Sequence, residues 1–501
     1  MKSLYMPALA RPSSFDARSL VATLFVSASA CSFYLYRRWK LATLSQRAAV
    51  CRYIFGPRRV PLVRLWGPRI RGARKHLGGS PDAACSQLFG VPAHSRAVLR
   101  LDLITGSVST ILSPGDGRSI LSQIPKGPFK WLRGVLGPDG CVYCIPACAD
   151  FVLRVYPDCS LSTLGRGELP TGEWKWHGGC LGSDGNIYAP PANAPRVLKI
   201  EPASHRASMV GPELHPDLKN KWYGAIKAAD GAIWCMPYNA PTALKIVPES
   251  GEVHELGSFP RGGWKWHGGA RCGRFIVGIP SHADSVLLIE TATETLTLVS
   301  TGIMSVPRVP GYRGYQWGGG VADGHHEGAP IWVVPSLFPA CTCSLRRPFG
   351  WCRASSQHAR AHHDAHLGGA EPLPSMHVLT TAPSPFASGA AVWAVPSDAS
   401  HILKIVASAG TVTPIGGLPV MKNKWQGAVH ARDGHVYCIP CDAPNVLRID
   451  PRDGSFSLHG SLGDCTNKFQ GAYQHTDGTI WALPESCEQV LRIDPPDPFA
   501  L

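Results

Sequence analysis

Short apolar runs recur along this chain, and each is bounded by proline, glycine or an Asp-Gly pair. The clearest copies are DGNIYAPPANAPRVLKIEP (184–202), DGHVYCIPCDAPNVLRIDP (433–451) and DGTIWALPESCEQVLRIDP (477–495). In each copy an Asp-Gly turn precedes an apolar run that ends in proline, and a V-L-x-I segment follows. Runs of this length, rich in β-branched and aromatic residues and separated by turn residues, predict β-strands. The repeats show no sustained helical periodicity, so a helical solenoid is excluded.

An aromatic residue opens each repeat, in the pattern K-W-x-G. It falls at Trp131, Trp176, Trp222, Trp266, Trp317, Trp425 and Phe469, and most successive spacings are 44 to 46 residues. Four strands in 40–50 residues is the size of one β-propeller blade. The sequence therefore predicts an all-β fold, a single propeller of eight four-stranded blades. Seven blades is the alternative, if the eroded copy KHLGG (75–79) only lends strands to another blade.

The domain organisation follows from where the repeats begin and end. Residues 75–495 are predicted to form the propeller, and residues 1–74 a basic N-terminal segment with one short apolar helix. The last repeat stops after VLRIDP, so its fourth strand is expected from RVPLVRLWG (59–67), since an open ring leaves unpaired edges. Between Trp317 and Trp425 the spacing is 108 residues, with near-duplicate stretches IWVVPS (331–336) and VWAVPS (392–397). We interpret 337–391 as a low-complexity insertion inside the propeller.

The net positive charge of the chain is concentrated at the N-terminus. The chain has a net charge of +14, of which residues 1–74 contribute +13, so the repeats are nearly neutral and no nucleic-acid partner is expected. The apolar run 20–36 is 17 residues long and is followed by RRWK. It predicts membrane attachment with the propeller facing the cytosol. A cleaved organelle leader and an ordinary buried segment remain open as alternatives.

Candidate binding residues gather where the K-W-x-G segments meet. In a propeller the loops before the innermost strands share one face, so we expect lysines, aromatic rings and the variable residue after Trp to surround the channel mouth. The candidate ligand-binding residues are Lys130, Lys175, Trp176, His177, Lys221, Trp222, Tyr223, Lys265, Trp266, His267, Lys424, Trp425, Gln426, Lys468 and Gln470. One interpretation is structural, with Trp packed between blades and the lysine stem covering it. The other is an exposed ring of positive charge that binds an anionic or hydroxyl-rich ligand.

The repeats resemble those of the streptogramin lyase and NHL-like propeller superfamily, through D-G-x-I-Y…V-L-x-I-D-P segments such as 184–202 and 433–451. The resemblance covers nearly all of 75–495 and implies the propeller fold. The lyases in it imply a histidine base and Mg²⁺ held by glutamate. His177 or His267 would be the base, with Glu173 the acid nearby. The lactonase-type members imply a metal held by several channel acids, which these inner strands do not supply.

These observations favour a ligand-binding or protein-interaction module over an enzyme. We expect a protein partner or a small anionic or polar ligand, no cofactor, no metal and a monomeric chain. The alternative is a propeller lyase or hydrolase acting in the channel, with a divalent metal such as Mg²⁺. If the lysines are exposed, replacing Lys175, Lys221 and Lys265 by Gln should change melting little and abolish anion binding.

Overall fold

The chain forms a closed β-propeller of eight four-stranded antiparallel sheets. The computed structural model describes residues 60–112, 124–303, 315–323 and 390–496. Within these ranges the secondary structure is 32 strands and a single turn of 3-10 helix, Ala407–Ala409. The predicted fold class is confirmed, with eight blades rather than seven, because the eroded copy at 75–79 opens a blade of its own.

Each of the first four blades is a meander that runs from the centre of the ring outward. Blade 1 contains β2 (His76–Pro81), β3 (Gln87–Pro92), β4 (Val98–Asp102) and β5 (Val108–Ile111). Blade 2 contains β6 (Trp131–Leu136), β7 (Val142–Pro146), β8 (Val152–Val155) and β9 (Leu161–Leu164). Blade 3 contains β10 (Cys180–Leu181), β11 (Ile187–Ala189), β12 (Val197–Glu201) and β13 (Arg206–Val210). Blade 4 contains β14 (Trp222–Lys227), β15 (Ile233–Pro237), β16 (Ala243–Val247) and β17 (Glu252–Leu256).

Blades 5 to 7 follow the same pattern, and blade 8 differs because both ends of the repeat region build it. Blade 5 contains β18 (Trp266–Cys272), β19 (Phe275–Pro280), β20 (Ser285–Glu290) and β21 (Thr295–Ser300). Blade 6 contains β22 (Trp317–Ala322), β23 (Val392–Pro396), β24 (Ile402–Val406) and β25 (Thr411–Ile415). Blade 7 contains β26 (Trp425–His430), β27 (Val436–Pro440), β28 (Val446–Ile449) and β29 (Phe456–His459). Blade 8 contains β30 (Tyr473–Gln474), β31 (Ile480–Ala482), β32 (Val490–Asp494) and β1 (Leu62–Trp66).

Closure of the ring depends on β1. It pairs antiparallel with β32 over five residues, from Leu62 opposite Asp494 to Trp66 opposite Val490. Arg64 adds an ion pair to Asp494 at 3.1 Å. The predicted closing strand is thereby confirmed, and blade 8 joins the two ends of the propeller as expected from the missing fourth strand of the last repeat.

Two predicted segments fall largely outside the described residues. The apolar run 20–36 is one, and its membrane role stays a prediction. Across the described ranges, the structure contains no helix with the length and hydropathy needed to cross a membrane. The insertion 337–391 is the other, apart from its last two residues. The second strand of blade 6 comes from the second near-duplicate stretch, 392–397, with Trp317 opposite Pro396.

The aromatic residue of K-W-x-G packs between blades, as its recurrence predicts. Trp222 of blade 4 lies in a core with Val197 and Leu214 of blade 3 and Leu244 of its own blade. The seven aromatic residues at this position are at most 3% exposed. Trp222 Nε1 also donates to the carbonyl of Thr242 at 2.6 Å, and the other five tryptophans make the equivalent bond to the residue before the third strand.

The residue before this aromatic joins each blade to its predecessor. In all eight blades its backbone N–H donates to the carbonyl that follows the second strand of the preceding blade, at 2.8–3.1 Å. In seven blades this residue is a lysine, and its Nζ donates to a carbonyl of that same preceding loop at 2.8–3.4 Å. Lys221, for example, bonds Ala192 through its backbone and Ala194 through Nζ. We call this pair of contacts the lysine bridge.

The packing role of the aromatic leads to a first prediction. Replacing Trp222 by Ala should lower the free energy of unfolding by roughly 3–5 kcal/mol, because a fully buried ring is removed from the interface of blades 3 and 4. Chemical denaturation measures this loss. Trp264→Ala is the control, since Trp264 is only partly buried, and it should cost clearly less. Equal losses at the two sites would contradict the inter-blade role.

The lysine bridge leads to a second prediction, opposite to the one made from exposed lysines. The triple variant Lys175→Gln, Lys221→Gln and Lys265→Gln should be destabilised by roughly 1–3 kcal/mol per site, because the shorter side chain leaves buried carbonyls unpaired. Lys219→Gln, at an exposed position of the same loop, should change stability by no more than about 0.5 kcal/mol. A triple variant that melts with the parent protein would show that the bridge contributes nothing.

Candidate functional site

The predicted lysines do not form an exposed ring around the channel mouth. Lys130, Lys175, Lys221, Lys265, Lys424 and Lys468 are 0–7% exposed, and the lysine bridges use their ammonium groups. Burial lowers the pKa of Lys130, Lys221, Lys265 and Lys424 to about 8. The expectation of exposed charge is therefore wrong, because the sequence does not reveal the carbonyls that surround each Nζ. The predicted tryptophans Trp176, Trp222, Trp266 and Trp425 lie in the same inter-blade cores.

The residue after each aromatic lines the centre of the ring. In blade order these residues are Leu77, Leu132, His177, Tyr223, His267, Gly318, Gln426 and Gln470. A β-bulge follows the aromatic, seen as a register shift between Tyr223 and Ile226 in blade 4 and at the same place in other blades. Bulges redirect side chains, and here the repeated bulge turns this position toward the channel. The structure thus brings His177, Tyr223, His267, Gln426 and Gln470 to one level, as predicted.

Arg133 breaks the symmetry of this ring. It occupies the bulge position, where the other seven blades have glycine, and all eight residues have positive φ: Gly78, Arg133, Gly178, Gly224, Gly268, Gly319, Gly427 and Gly471. Its φ is 74°, a left-handed conformation that costs a residue with a Cβ roughly 1–2 kcal/mol. Its side chain lies against Gly78 of blade 1, where a Cβ would meet Arg133 Nη1 at 3.2 Å. An arginine is thus held in strained backbone at the centre of the fold.

The guanidinium of Arg133 is buried without a full set of partners. The residue is 6% exposed, and its Nε and Nη1 have no hydrogen-bond acceptor in the described part of the chain. Burial lowers its pKa, and the electrostatic effects of Tyr473, Glu485 and Tyr315 oppose that shift. A buried cation that is incompletely paired is costly. The repeat itself offers the alternative, because seven blades place glycine at this position.

Groups from four other blades surround Arg133. Its charge acts on the pKa values of His177 (blade 3), His267 (blade 5), Tyr315 (blade 6), Tyr473 and Glu485 (blade 8). Blade 6 lies opposite blade 2 in a ring of eight, so the charge of Arg133 influences groups on both sides of the channel. These residues define what we call the central site, with Arg133 at its middle.

An aromatic arc covers the part of the central site formed by blades 3 to 6. The rings of His177 and Tyr223 stack with centroids 4.0 Å apart and planes 10° apart, and Tyr223 stacks on Tyr238 at 4.3 Å and 10°. His267 lies 4.4 Å from Tyr315 and meets His177 edge-on at 5.7 Å. Stacking on both faces fixes Tyr223 within the wall, while His177 and Tyr315 are only partly buried and face the channel.

Both imidazoles of this arc are neutral. Burial and the charge of Arg133 hold the pKa of His267 at about 3, and burial with His267 and Arg133 holds that of His177 well below its usual range. Nδ1 of each ring has no hydrogen-bond partner among the described residues. Each neutral ring can therefore offer a donor or an acceptor to a ligand, depending on its tautomer.

A polar arc formed by blades 7 and 8 faces the aromatic arc. Gln470 Nε2 donates to Gln426 Oε1 at 3.0 Å, and both side chains are partly exposed in the channel. Glu485, three residues after the end of β31, is 7% exposed, and burial raises its pKa to about 7. Arg74, Arg133 and Lys75 favour its charged form, whereas Asp442 opposes it. Near neutral pH this carboxyl therefore exchanges its proton beside Arg133.

The residues present do not fit the Mg²⁺ site that the lyase resemblance implies. Glu173 lies on an exposed loop before Trp174, and its backbone carbonyl accepts a hydrogen bond from Asn193. In the described ranges no three His, Cys, Asp or Glu side chains converge closely enough to hold a metal ion. No metal-dependent step is derived from this arrangement.

Sequence reasoning missed five residues of the central site: Arg133, Tyr238, Tyr315, Tyr473 and Glu485. Arg133 had a signal, because KWLRG (130–134) departs from K-W-x-G at its glycine. Tyr238 and Glu485 follow the second strands of blades 4 and 8, where other blades have Ala, Ser or Cys. Comparing the blades position by position, and asking which residues depart from the repeat, would have found them.

Comparison with known proteins supports the fold and goes no further. No protein-family model matches the chain, and no curated protein sequence matches it. Among solved structures, a streptogramin B lyase aligns with a TM-score of 0.44 and 10% identity, over 87% of this chain and 98% of the lyase. A catalytically inactive virginiamycin B lyase from Staphylococcus aureus with quinupristin gives 0.44 and 11%, over 86% and 99%. The Dos1 propeller gives 0.50 and 7%, over 86% and 95%. The likeness to the Dos1 propeller concerns the fold alone.

Proposed function

We propose that this propeller is a ligand-binding module whose central site binds a small anionic ligand through Arg133. The observation that carries the proposal is a buried, incompletely paired guanidinium in the one bulge of the ring that does not hold glycine. Strained backbone and unpaired buried charge reduce stability, and such costs cluster at functional sites. An anion would supply the missing acceptors. The site thus differs from the lysine ring expected from the sequence, although the expected ligand class is the same.

The sequence alternative, a lyase or hydrolase with His177 or His267 as base, has less support. A general base works best when its pKa lies near the working pH. Both imidazoles have pKa values far below neutrality, so they are weak bases at pH 7. Their position beside Tyr223 in the aromatic arc suits packing against a ligand.

The central experiment replaces Arg133 by Gly, the residue of the seven other blades. Unfolding free energy should rise by roughly 1–2 kcal/mol, because the left-handed strain disappears. Binding of small anions such as acetate and sulfate, measured by calorimetry on the full chain, should be lost. Arg133→Lys keeps the charge and the strain, and should retain weakened binding at parent-like stability. If Arg133→Gly is less stable than the parent, or binds anions equally well, the proposal is wrong.

Glu485 makes anion binding dependent on pH. Its folded pKa of about 7 is raised from 4.5, so its negative charge is present at pH 8 and largely absent at pH 6. Because that charge competes for Arg133, sulfate should bind up to roughly tenfold more tightly at pH 6 than at pH 8. His177 and His267 stay neutral over this range.

Glu485→Gln tests this dependence. It should bind sulfate at pH 8 as tightly as the parent does at pH 6, and its affinity should be nearly constant between these values. Sulfate keeps its charge over the range, so the ligand adds no titration of its own. A parent whose affinity does not change with pH, or a variant as pH-dependent as the parent, would exclude Glu485 from the site.

A further inference from the structure

The lining of the central site is divided into two chemically different halves. In the ring of eight, His177 of blade 3 is opposite Gln426 of blade 7, and Tyr223 of blade 4 is opposite Gln470 of blade 8. Aromatic side chains on blades 3 and 4 therefore oppose carboxamides on blades 7 and 8, although both faces of Tyr223 are already covered by His177 and Tyr238. Arg133 comes from blade 2, at the boundary between the halves. A ligand that fills this space meets an aromatic surface on one side, amide groups on the other and a cation at one end.

The aromatic half is rigid. Tyr223 is held by stacking on both faces and by a hydrogen bond from its hydroxyl to Asn220 Oδ1 at 2.9 Å. His177 forms the end of this stack and remains partly exposed. At the rim, Phe129, Trp174 and Trp264 have φ of 48–53°, a conformation rarely adopted by bulky residues. Aromatic side chains are thus held at several levels on one side, which suits a ligand with an apolar ring face.

The polar half has hydrogen-bonding capacity to spare. The single bond between the two amides uses Gln470 Nε2 and Gln426 Oε1. It leaves Gln426 Nε2 and Gln470 Oε1 without a protein partner in the described part of the chain, so this pair of side chains keeps one donor and one acceptor. Each carboxamide supplies both kinds of group. A pair of neighbouring hydroxyls, each able to donate and accept, matches this arrangement.

From this juxtaposition we infer that the ligand is an acidic pyranose, a six-membered sugar ring bearing one anionic group. The anionic group pairs with Arg133, the C–H face of the ring packs on His177 and the aromatic arc, and the ring hydroxyls bond Gln426 and Gln470. A flat aromatic acid would satisfy Arg133 and the stack but leave the amides unpaired. A bare inorganic anion would use Arg133 alone. The inference rests on the proposed function and adds the chemical class of the ligand.

Calorimetry on the full chain tests the class with six probes: glucuronate, glucose 6-phosphate, glucose, acetate, inorganic phosphate and the flat aromatic acid benzoate. Glucuronate and glucose 6-phosphate should bind at least tenfold more tightly than glucose, which lacks the charge, and than acetate or inorganic phosphate, which lack the ring. The better of the two acidic sugars identifies the anionic group as carboxylate or phosphate. Arg133→Gly should lower the affinity for both at least tenfold and leave that for glucose unchanged.

The polar half is tested by Gln426→Leu and Gln470→Leu, singly and together. Leucine is the natural residue at the equivalent position in blades 1 and 2, at Leu77 and Leu132, so the fold should accept it. Each change should weaken acidic sugars at least fivefold and leave acetate unchanged. His177→Ala should weaken the sugars and not the bare anions, which checks the aromatic half.

The outcomes distinguish a failure of the acidic-sugar inference from a failure of the proposed anion binding. If acetate, phosphate or benzoate binds as tightly as the acidic sugars and depends on Arg133, the anion site stands and the sugar class is wrong. The class is also wrong if the glutamine variants bind acidic sugars like the parent. If no anion in the panel binds, or Arg133→Gly changes nothing, both proposals are wrong.

Discussion

The fold depends on the contact between each blade and the one before it. Sheets of four short strands have two edges and too little core to be stable alone, so the interface between blades must supply the stability. A backbone hydrogen bond from the residue before the aromatic fixes each blade to its neighbour, and in seven blades the lysine Nζ reinforces it. The tryptophan then fills the space behind this contact. The same contact recurs in all eight blades, and the pairing of β1 with β32 closes the ring.

Because the same contact joins every pair of blades, each blade presents the same backbone at the channel. The chemistry of the channel can therefore differ only where a side chain departs from the repeat. The bulge after the aromatic is the place where such a departure has most effect, because it points inward from every blade. Seven blades have glycine there, and blade 2 has Arg133. Tyr238 and Glu485 depart from small residues at the position after the second strand. The central site is the sum of these departures, and the lysine bridges hold them at fixed distances.

Sequence reasoning recovered the fold almost completely because local signals repeat. The period of K-W-x-G gives the blade count, and the missing fourth strand of the last repeat predicts closure by 59–67. His76 shows why even the eroded copy works, since its Nε2 reaches the carbonyl of Ala97 at 3.2 Å, as the tryptophans reach theirs. The lysines were expected to be exposed because a charge that recurs in equivalent loops predicts exposure. The carbonyls that surround each lysine belong to the preceding blade, and the sequence does not reveal them. Contacts between residues far apart in sequence, such as the hydrogen bond from the Tyr473 hydroxyl to the carbonyl of Gly79 at 2.6 Å, exist only once the ring is closed.

The buried lysines and Arg133 differ in their partners, whereas the other buried arginines of the described ranges, Arg154 and Arg492, pair with Asp139 and Asp494. Each lysine ammonium donates to backbone carbonyls, so its burial is offset by hydrogen bonds, and its repetition in seven blades is that of a structural element. Arg133 occurs once, in strained backbone, with nitrogen atoms unpaired and a carboxyl of pKa about 7 nearby. A structural cation would be expected at many blades with its partners supplied. Under the proposed function, Arg133 pairs with a charge that comes from outside the chain, and the opposing aromatic and amide arcs would restrict the shape of the molecule that carries it.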